Sequence, residues 1–346
     1  MVQRILVVLL LVVLVFSGCK KEKVNLESDF QENDYGFVVK NNTLIFASPD
    51  DFKKLLTLYE KEPEFVETIL RQSGLVSLKD IQIAALDVLN SNNSNDMDIM
   101  AWLGENRDLF YLAEDENGEK EVKPYIDDEM ITNFLNKDQI MQIGNRIYGF
   151  SKNHIMIGKV ESKSLIIGNI KRDNHDQGIF KDSRIDIFRR RYSEIKKGKP
   201  TRHVATAIKD ERGCSKDRKV KIVNEIKTVY IFRDGIYLYY IYVGTKTSGY
   251  RKRLCFWVPY KTQLEYRNVK GQISYYQGSK TKYFYIGGEK SYSDKYSIGQ
   301  DKLLVWGTTS KHELKRILLD VYFFKDYGEA TSRGVGNLWA IIKYNF

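Results

Sequence analysis

The sequence predicts an α+β fold, with an acidic, α-rich N-terminal domain at residues 35–135 and a mostly antiparallel, β-sandwich-like C-terminal domain at residues 201–346. The charge changes sign along the chain, because residues 41–135 contain 8 Lys and Arg against 20 Asp and Glu, whereas residues 171–270 contain 26 against 11. The apolar pattern also changes near residue 136, from helical spacing to short β-rich runs. Residues 136–200 form a β-hairpin and connecting region between the two domains.

The N-terminal domain begins with a predicted β-hairpin at residues 36–47, in which Asn41 and Asn42 supply the turn. Ser48 and Pro49 then indicate a helix start, because a serine can cap the first turn and proline suits the first helical position. Apolar residues at helical spacing predict two further helices, which start near Pro63 and near Ser77.

The end of the N-terminal domain is predicted to be a helix at residues 97–112, followed by an acidic, exposed loop at residues 114–123. Beyond it, short strands are predicted at residues 140–143, 147–150 and 155–160, and residues 164–170 continue this pattern. Residues 179–197 fit either a helix or a loop. The strand candidates farther along the chain are residues 219–223, 228–232, 236–243, 254–258, 262–266, 283–286, 303–306, 317–324 and 338–344.

The first residues of the chain have the pattern of a secretory signal. Arg4 precedes an uninterrupted apolar run at residues 5–16, which as a helix spans roughly 18 Å, too short for a hydrocarbon core of about 30 Å. Ser17, Gly18 and Cys19 follow, and a cysteine after two small residues resembles the lipobox of bacterial lipoproteins, although Phe16 stands where leucine is usual.

The lipobox resemblance implies that residues 1–18 are a lipoprotein signal peptide, that lipid is attached to Cys19, and that several acyl chains anchor the protein stably. Residues 19–34 are polar and fit a tether. No aspartate follows Cys19, which resembles sorting to the outer membrane and leaves open which face the protein occupies. The alternatives are an ordinary cleaved signal, with Cys19 structural, or an uncleaved N-terminal anchor.

A set of short motifs runs through the chain, at residues 44–49, 74–78, 135–138, 142–145 and 147–148, and at Cys214 followed by residues 217–220. Together they resemble uncharacterised lipoproteins of the Bacteroidetes, which are classed as domains of unknown function. This resemblance covers most of the chain and implies a location and an architecture, but no activity.

The sequence contains none of the common catalytic motifs: no His-Glu-x-x-His, no Gly-x-Ser-x-Gly, no glycine-rich phosphate loop and no paired Cys-x-x-Cys. Residues 173–176, Asp-Asn-His-Asp, have some metal-like character but fit a turn better. We therefore expect no enzyme, no metal and no cofactor. The alternative is a secreted hydrolase-like enzyme, because carboxylates far apart in a chain can form an active site.

Once Cys19 carries lipid, two cysteines are left, Cys214 and Cys255. In the oxidising compartment outside the cytoplasm they either form a disulfide or stay as buried thiols.

Strand 236–243 is rich in aromatic residues, so that Tyr237 and Tyr239 share one face. They fit either a central strand or a platform for sugar rings, to which Arg251 and Arg253 would add charge for an acidic glycan. The alternating apolar residues at 338–346 resemble the terminal strand of an outer-membrane β-barrel component, a further alternative to the last strand of a soluble domain.

From these observations we expect a membrane-anchored lipoprotein of the cell envelope, non-catalytic, that binds or scaffolds an acidic glycan or an envelope protein. Nucleic acid is not expected as a partner. The opposite charges of the two domains could serve this binding, or could pair within the molecule.

Overall fold

The computed structural model describes residues 35–91, 96–115, 117–192, 202–209, 217–233, 236–253, 256–277, 280–308, 329–334 and 338–343. Within these ranges the chain forms six α-helices and seventeen strands, so the α+β class is confirmed. The leader at residues 1–34, with Cys19, lies outside the described residues, as do Cys214, Cys255 and the strand candidate at residues 317–324.

The N-terminal hairpin is confirmed. Strand β1 (Phe37–Lys40) pairs with β2 (Thr43–Phe46) in antiparallel fashion. Asn41 and Asn42 have φ angles of 49° and 53°, the left-handed conformation that a tight two-residue hairpin turn requires and that asparagine tolerates. Phe37 and Phe46 are both buried, so the hairpin contributes directly to the core.

The predicted helix starts are also confirmed. The Ser48 side chain accepts a hydrogen bond from the backbone N–H of Asp51 at 3.2 Å, which satisfies a donor that the first helical turn leaves free. Gly74, with φ of 83°, follows the second helix at its end. The helices of this part are α1 (Pro49–Lys61), α2 (Pro63–Gln72), α3 (Leu78–Ser91) and α4 (Asp96–Glu105).

The predicted helix at residues 97–112 and the exposed loop at residues 114–123 are partly wrong. Helix α4 ends at Glu105, and β3 (Phe110–Glu114) forms an antiparallel hairpin with β4 (Lys120–Pro124). Glu121 is fully buried in this hairpin. The acidic composition suggested exposure, but lysines from a distant strand compensate the buried carboxylates.

Helix α5 (Glu129–Phe134) lies at the end of the N-terminal part. The connecting region then contains β5 (Ile140–Ile143), β6 (Arg146–Phe150) and β7 (His154–Lys159), which agree with the predicted short strands. Two predictions for this region are wrong. Residues 164–170 are helical, within α6 (Lys163–Asn174), because the buried Ile166 and Ile170 lie one turn apart and pack on β6. Residues 185–192 form a strand, where a helix or loop was predicted. This strand is β8 (Ile185–Tyr192).

The C-terminal region consists of strands, several of them long. They are β9 (Arg202–Lys209), β10 (Arg218–Arg233), β11 (Ile236–Arg253), β12 (Phe256–Pro259), β13 (Thr262–Gln277), β14 (Lys280–Lys295), β15 (Ser297–Thr308), β16 (Glu329–Gly334) and β17 (Leu338–Lys343).

The strands form two sheets. The larger sheet has the order β1-β2-β5-β6-β7-β8-β10-β11-β12-β4-β3, with β9 also on β10 and β15 also on β11. Its pairs are antiparallel except β2 with β5 and β12 with β4. The smaller sheet, β14-β13-β16-β17, has antiparallel pairs. Pairing of β4 with β12 brings the predicted N-terminal and C-terminal domains into one sheet, whereas the exact domain boundaries stay a prediction.

Buried side chains form two core clusters among the described residues. The larger one joins helices α1 to α5 to the sheet and includes Phe46, Phe134 and Val258. The smaller one lies where α6 covers β5 to β7 and includes Met156 and Ile166. Helices therefore cover both the hairpin end and the β5–β7 part of the larger sheet, and the first cluster forms one wall of a cleft.

Candidate functional site

A cleft of about 430 Å³ lies between the helical part and the strands of the C-terminal region. Helices α2 and α3 form one wall, and β11, β12 and the connection from β14 to β15 form the other. The residues that line it are Tyr59, Pro63, Glu64, Glu67, Arg71, Lys79, Gln82, Ile83, Leu86, Phe110, Pro124, Asp127, Thr132, Lys246, Ser248, Tyr250, Pro259, Lys261, Lys295, Tyr296 and Ser297.

The charged groups of the cleft are predominantly basic. Five Lys and Arg side chains line it against three carboxylates, and three tyrosines supply hydroxyl groups beside apolar ring surface. The two walls come from the acidic and the basic parts of the sequence. The cleft therefore lies where the acidic and the basic parts of the chain come together.

The helical wall is fixed by its own ion pairs. Glu67 on α2 lies 2.8 Å from the Lys79 ammonium and 3.7 Å from the Arg71 guanidinium. The Tyr59 hydroxyl donates to Glu67 at 3.3 Å and itself accepts a hydrogen bond from the Asn133 amide at 2.9 Å. These contacts position two cations at the rim while they neutralise Glu67.

The strand wall carries three lysines. Lys261 pairs with Asp87 of α3 at 2.7 Å, and the Tyr296 hydroxyl donates to the same carboxylate. Lys246 instead donates to the backbone carbonyl of Asp127 at 2.8 Å, and within the described part of the chain it forms no ion pair. Lys295 is exposed and forms no ion pair with any described residue.

The floor of the cleft includes Tyr250, whose pKa lies well above its ordinary value. Burial is the main cause, and the negative charge of Glu121, with which Tyr250 shares a hydrogen bond, adds to it. Tyr250 therefore stays a neutral hydroxyl at physiological pH and can donate a hydrogen bond. Its partner Glu121 belongs to a buried charge cluster behind the cleft.

The buried charge cluster consists of Asp115, Glu121, Lys219 and Lys221. The Lys219 ammonium lies 2.8 Å from Asp115 and 2.9 Å from Glu121, and the Lys221 ammonium lies 3.3 Å from Glu121. The sequence did not predict this cluster. The only local signal was alternation, because residues 219 and 221 on β10 point to one face.

Acidic and basic segments thus pair within the molecule. Besides the buried charge cluster, Lys252 binds Glu119 at 2.7 Å. Charge pairing inside the fold, one of the two interpretations of the sequence, accounts for these carboxylates and lysines. Lys246 and Lys261 of the basic segment line the cleft.

The predicted aromatic platform is only partly within the described side chains. Tyr237 and Tyr239 lie on β11 between β10 and β15, the backbone position of a central strand, and their side chains are outside the described residues. Arg251 lies farther along the same strand, about 40 Å from Tyr239 at roughly 3.3 Å per residue. The platform stays a prediction, and the structure does not bring its tyrosines and arginines together in a described contact.

Arg251 and Arg253 have a structural contact instead. Their guanidinium groups approach the backbone carbonyl of Asn90, near the end of helix α3, at 3.0 and 3.5 Å. A helix carries partial negative charge at its C-terminal end, where cations stabilise the unpaired carbonyls. Arg251 also lies over the Tyr260 ring at 4.9 Å. These arginines therefore attach α3 to the sheet beside the cleft.

A Ser-His-Asp group is present, but its arrangement is not that of a catalytic triad. Ser151 donates to the carboxylate of Asp173, and Nδ1 of His154 lies 3.0 Å from the same carboxylate. In a triad the histidine stands between serine and aspartate, whereas here the aspartate is central. Ser151 is fully buried. The group fixes the turn between β6 and β7 to helix α6.

The sequence cluster at residues 173–176 is likewise divided among separate partners. Asn174 accepts a hydrogen bond from the backbone of Lys152, His175 contacts the carbonyl of Arg107 at 3.1 Å, and Asp176 pairs with Lys152. Among the described residues, no group of three His, Cys, Asp or Glu side chains could hold a metal ion. Asp173 and Asn174 are the last residues of α6, and the predicted turn is confined to His175 and Asp176 after it.

None of the helices within the described ranges combines the length and apolarity needed to cross a membrane. The lipid attachment at Cys19 and the Cys214–Cys255 disulfide stay predictions.

No protein-family model matches the chain, and no curated protein matches it. Among solved structures, it is similar to the crystal structure of a DUF4848 family protein from Bacteroides thetaiotaomicron, at 14% sequence identity and a TM-score of 0.28. The match covers 89% of this chain and 100% of that chain. A TM-score this low carries no argument about the ligand or the activity of this chain.

Proposed function

We propose that this chain is a lipid-anchored protein of the bacterial cell envelope that binds an acidic glycan in the cleft without acting on it as an enzyme. The observation that carries the proposal is the lining of the cleft, with five basic side chains, three carboxylates and three tyrosines. Its volume of about 430 Å³ is that of a small-ligand site, for which roughly 300–1,000 Å³ is usual.

An acidic sugar matches this lining chemically. Its carboxylate or sulfate group can approach Lys246 and Lys295, which no described carboxylate neutralises. Its hydroxyl groups can exchange hydrogen bonds with the charged side chains of the lining, while ring C–H groups pack on the tyrosine rings. Because Lys295 is exposed, the attraction at this rim is screened by salt.

The leader sequence supports a location at the cell envelope. Lipid on Cys19 would hold the protein at the envelope, and the absence of an aspartate after Cys19 favours the outer membrane. Residues 19–34 would act as a tether between the bilayer and the fold. An envelope protein as partner and the hydrolase-like alternative stay predictions, and no contact in the described residues favours either over glycan binding.

The β-sandwich-like arrangement belongs to the same proposal. Strands β16 and β17 of the smaller sheet contact β10 of the larger one, which supports packing of one sheet against the other. Such packing would hold the strand wall of the cleft rigid.

The proposal is tested with the full-length protein, purified from membranes in detergent, and a polyuronic acid such as polygalacturonate. Binding is measured by isothermal titration calorimetry at low and at high salt, with a neutral glucan for comparison. We expect polygalacturonate to bind at low salt and to bind more weakly as salt rises. Replacing both cleft lysines (Lys246→Ala with Lys295→Ala) should weaken binding about tenfold, which corresponds to about 1.4 kcal/mol.

The matched control is Lys159→Ala. Lys159 is exposed and lies away from the cleft lining, on strand β7. The Lys159→Ala variant should bind polygalacturonate as tightly as the wild-type protein does. Absence of binding by the wild-type protein at low salt, or equal weakening by the control, would contradict glycan binding in the cleft.

A further inference from the structure

Lys219 is enclosed by two carboxylates behind the cleft. Its Nζ lies 2.8 Å from Oδ2 of Asp115 and 2.9 Å from Oε2 of Glu121, and all three side chains have 0% exposure to solvent. A lysine amine and two carboxylates are thus in contact where solvent does not reach. These are the groups needed to form an amide between two side chains.

The surroundings of the amine are aromatic and dry. Nζ of Lys219 lies over the ring of Trp257 at 4.7 Å and over that of Tyr250 at 5.0 Å. In such surroundings charges are poorly solvated, so the ammonium depends on its two carboxylate partners for stabilisation. The neutral amine is the nucleophilic form of lysine.

The two oxygens of the Asp115 carboxyl group have different partners. Its Oδ1 accepts hydrogen bonds from the backbone N–H groups of Asn117 at 2.8 Å and Glu119 at 2.9 Å, while Oδ2 faces the amine. Two backbone donors on one oxygen are the arrangement that stabilises the negative charge of a tetrahedral intermediate. The other oxygen is then the leaving group, and it is the oxygen beside Lys219.

We propose that Lys219 and Asp115 become joined by an intramolecular isopeptide bond, with Glu121 transferring the protons. A proton first moves from the ammonium to Oδ2 of Asp115 by way of Glu121. The free electron pair of Nζ then attacks Cγ, the C–N bond forms, and the carbonyl electron pair moves to Oδ1 between its two N–H donors.

The second half of the step releases water. Glu121 takes a second proton from Nζ and delivers it to Oδ2, the bond from Cγ to Oδ2 breaks, and the C=O bond to Oδ1 forms again. Ammonium and carboxylate are thereby converted into one amide and one water molecule, and Glu121 returns to its starting form. The reaction needs no oxidant, reductant or second substrate.

The pKa directions indicate the order of events. Burial alone would raise the pKa of Asp115 and of Glu121, but lysine charges and hydrogen bonds outweigh it and hold both pKa values below their ordinary range. The ion pair is therefore the resting form, and proton transfer from Lys219 precedes bond formation. Contact distance keeps the reactants together during this rare event.

The bond would join the loop between β3 and β4 to strand β10 across 104 residues of sequence. The test is peptide mapping by mass spectrometry of the full-length protein purified from membranes. We expect the peptides that contain Asp115 and Lys219 to appear as one joined species, lighter than their sum by the mass of one water. Lys219 should also resist amine acetylation after denaturation. Separate peptides, with Lys219 freely acetylated, would overturn the proposal.

Two variants separate the role of Glu121 from a general effect of charge. Glu121→Gln keeps the shape of the side chain but cannot carry the proton, so the joined species should be lost. Glu119→Gln is the matched control, because the Glu119 side chain binds Lys252 and Trp257, and its backbone N–H remains. Bond formation in Glu121→Gln, or its loss in Glu119→Gln, would contradict the assigned role. The wild-type measurement decides the bond itself, even where a variant does not fold.

Discussion

At the scale of single residues, Asp173 shows how a buried carboxylate fixes a turn. It accepts hydrogen bonds from Ser151 and from the backbone N–H of Asn153, and it contacts His154. Burial raises its pKa, but the hydrogen bonds from His154 and Ser151 outweigh burial and lower the pKa to about 2. The ionised form of Asp173 is therefore the one that stabilises the fold.

This lowered pKa predicts a pH dependence. Above the unfolded-state pKa of about 3.9, ionised Asp173 should contribute about 2 kcal/mol to the free energy of unfolding. The contribution should be lost as the pH falls from about 4 towards 2, because protonation then occurs in the folded state too. Urea unfolding of Asp173→Asn against wild type, at several pH values, should show the difference near pH 7 and a smaller one near pH 2.

Asp176→Asn is the control for this measurement. Its side chain is 69% exposed and pairs with Lys152 at the surface, so its loss should change the free energy of unfolding by less than about 0.5 kcal/mol. If the difference in the free energy of unfolding between Asp173→Asn and wild type does not change with pH, the lowered pKa does not contribute to stability.

At the scale of elements, the packing of α6 on β6 depends on one glycine. A Cβ atom at Gly149 would lie 2.4 Å from Ile166 and 2.9 Å from Ile170, closer than packed atoms approach. Both isoleucines belong to the buried cluster under α6. The helix can approach the strand this closely only because position 149 has no side chain.

Gly149→Ala should therefore lower the free energy of unfolding by about 1–3 kcal/mol, through overpacking beneath α6. Thermal unfolding followed by circular dichroism measures this change. Gly168→Ala is a matched control, because Gly168 lies on α6 with open space at its Cβ position. Alanine is favoured over glycine inside a helix, so this variant should be stabilised by up to about 1 kcal/mol. Equal destabilisation by both variants would contradict the packing argument.

The sequence predicted those elements that local chemistry specifies. Ser48 and Pro49 mark a helix start, and Asn41 with Asn42 marks a hairpin, within a few residues of chain. The β3–β4 hairpin was missed because Glu121 is compensated by Lys219, 98 residues away, which no local pattern reveals. Helix α6 was mistaken for a strand because its isoleucines favour β structure in isolation, whereas packing on β6 favours the helix.

The candidate site was hidden for the same reason. Its two walls come from segments more than a hundred residues apart, such as Lys79 on α3 and Lys246 on β11. The basic character of residues 171–270 indicated an anionic partner, but the sequence could not separate the lysines that pair internally from those that line the cleft. Only the strand register places Lys246 and Lys219 on their different neighbours.

At the scale of the whole molecule, the proposed lipid anchor predicts where the protein is found in the cell. Cys19→Ala removes the thiol that would carry lipid, so we expect the protein to move from the detergent-soluble membrane fraction to the aqueous fraction. Cell fractionation with immunoblotting measures this, and Cys214→Ala is the control that should stay with the membrane. Membrane retention of Cys19→Ala would contradict lipid anchoring.

The parallel pairing of β4 with β12 has a consequence for how the chain folds. Phe256 and Trp257 pair with Lys120 and Glu121, so the sheet is continuous only after both stretches of chain have met. Assembly that waits for contacts so distant in sequence is slow. A newly synthesised chain would thus expose unpaired strand edges until its later half arrives, and this interval is when proteases or chaperones would act on it.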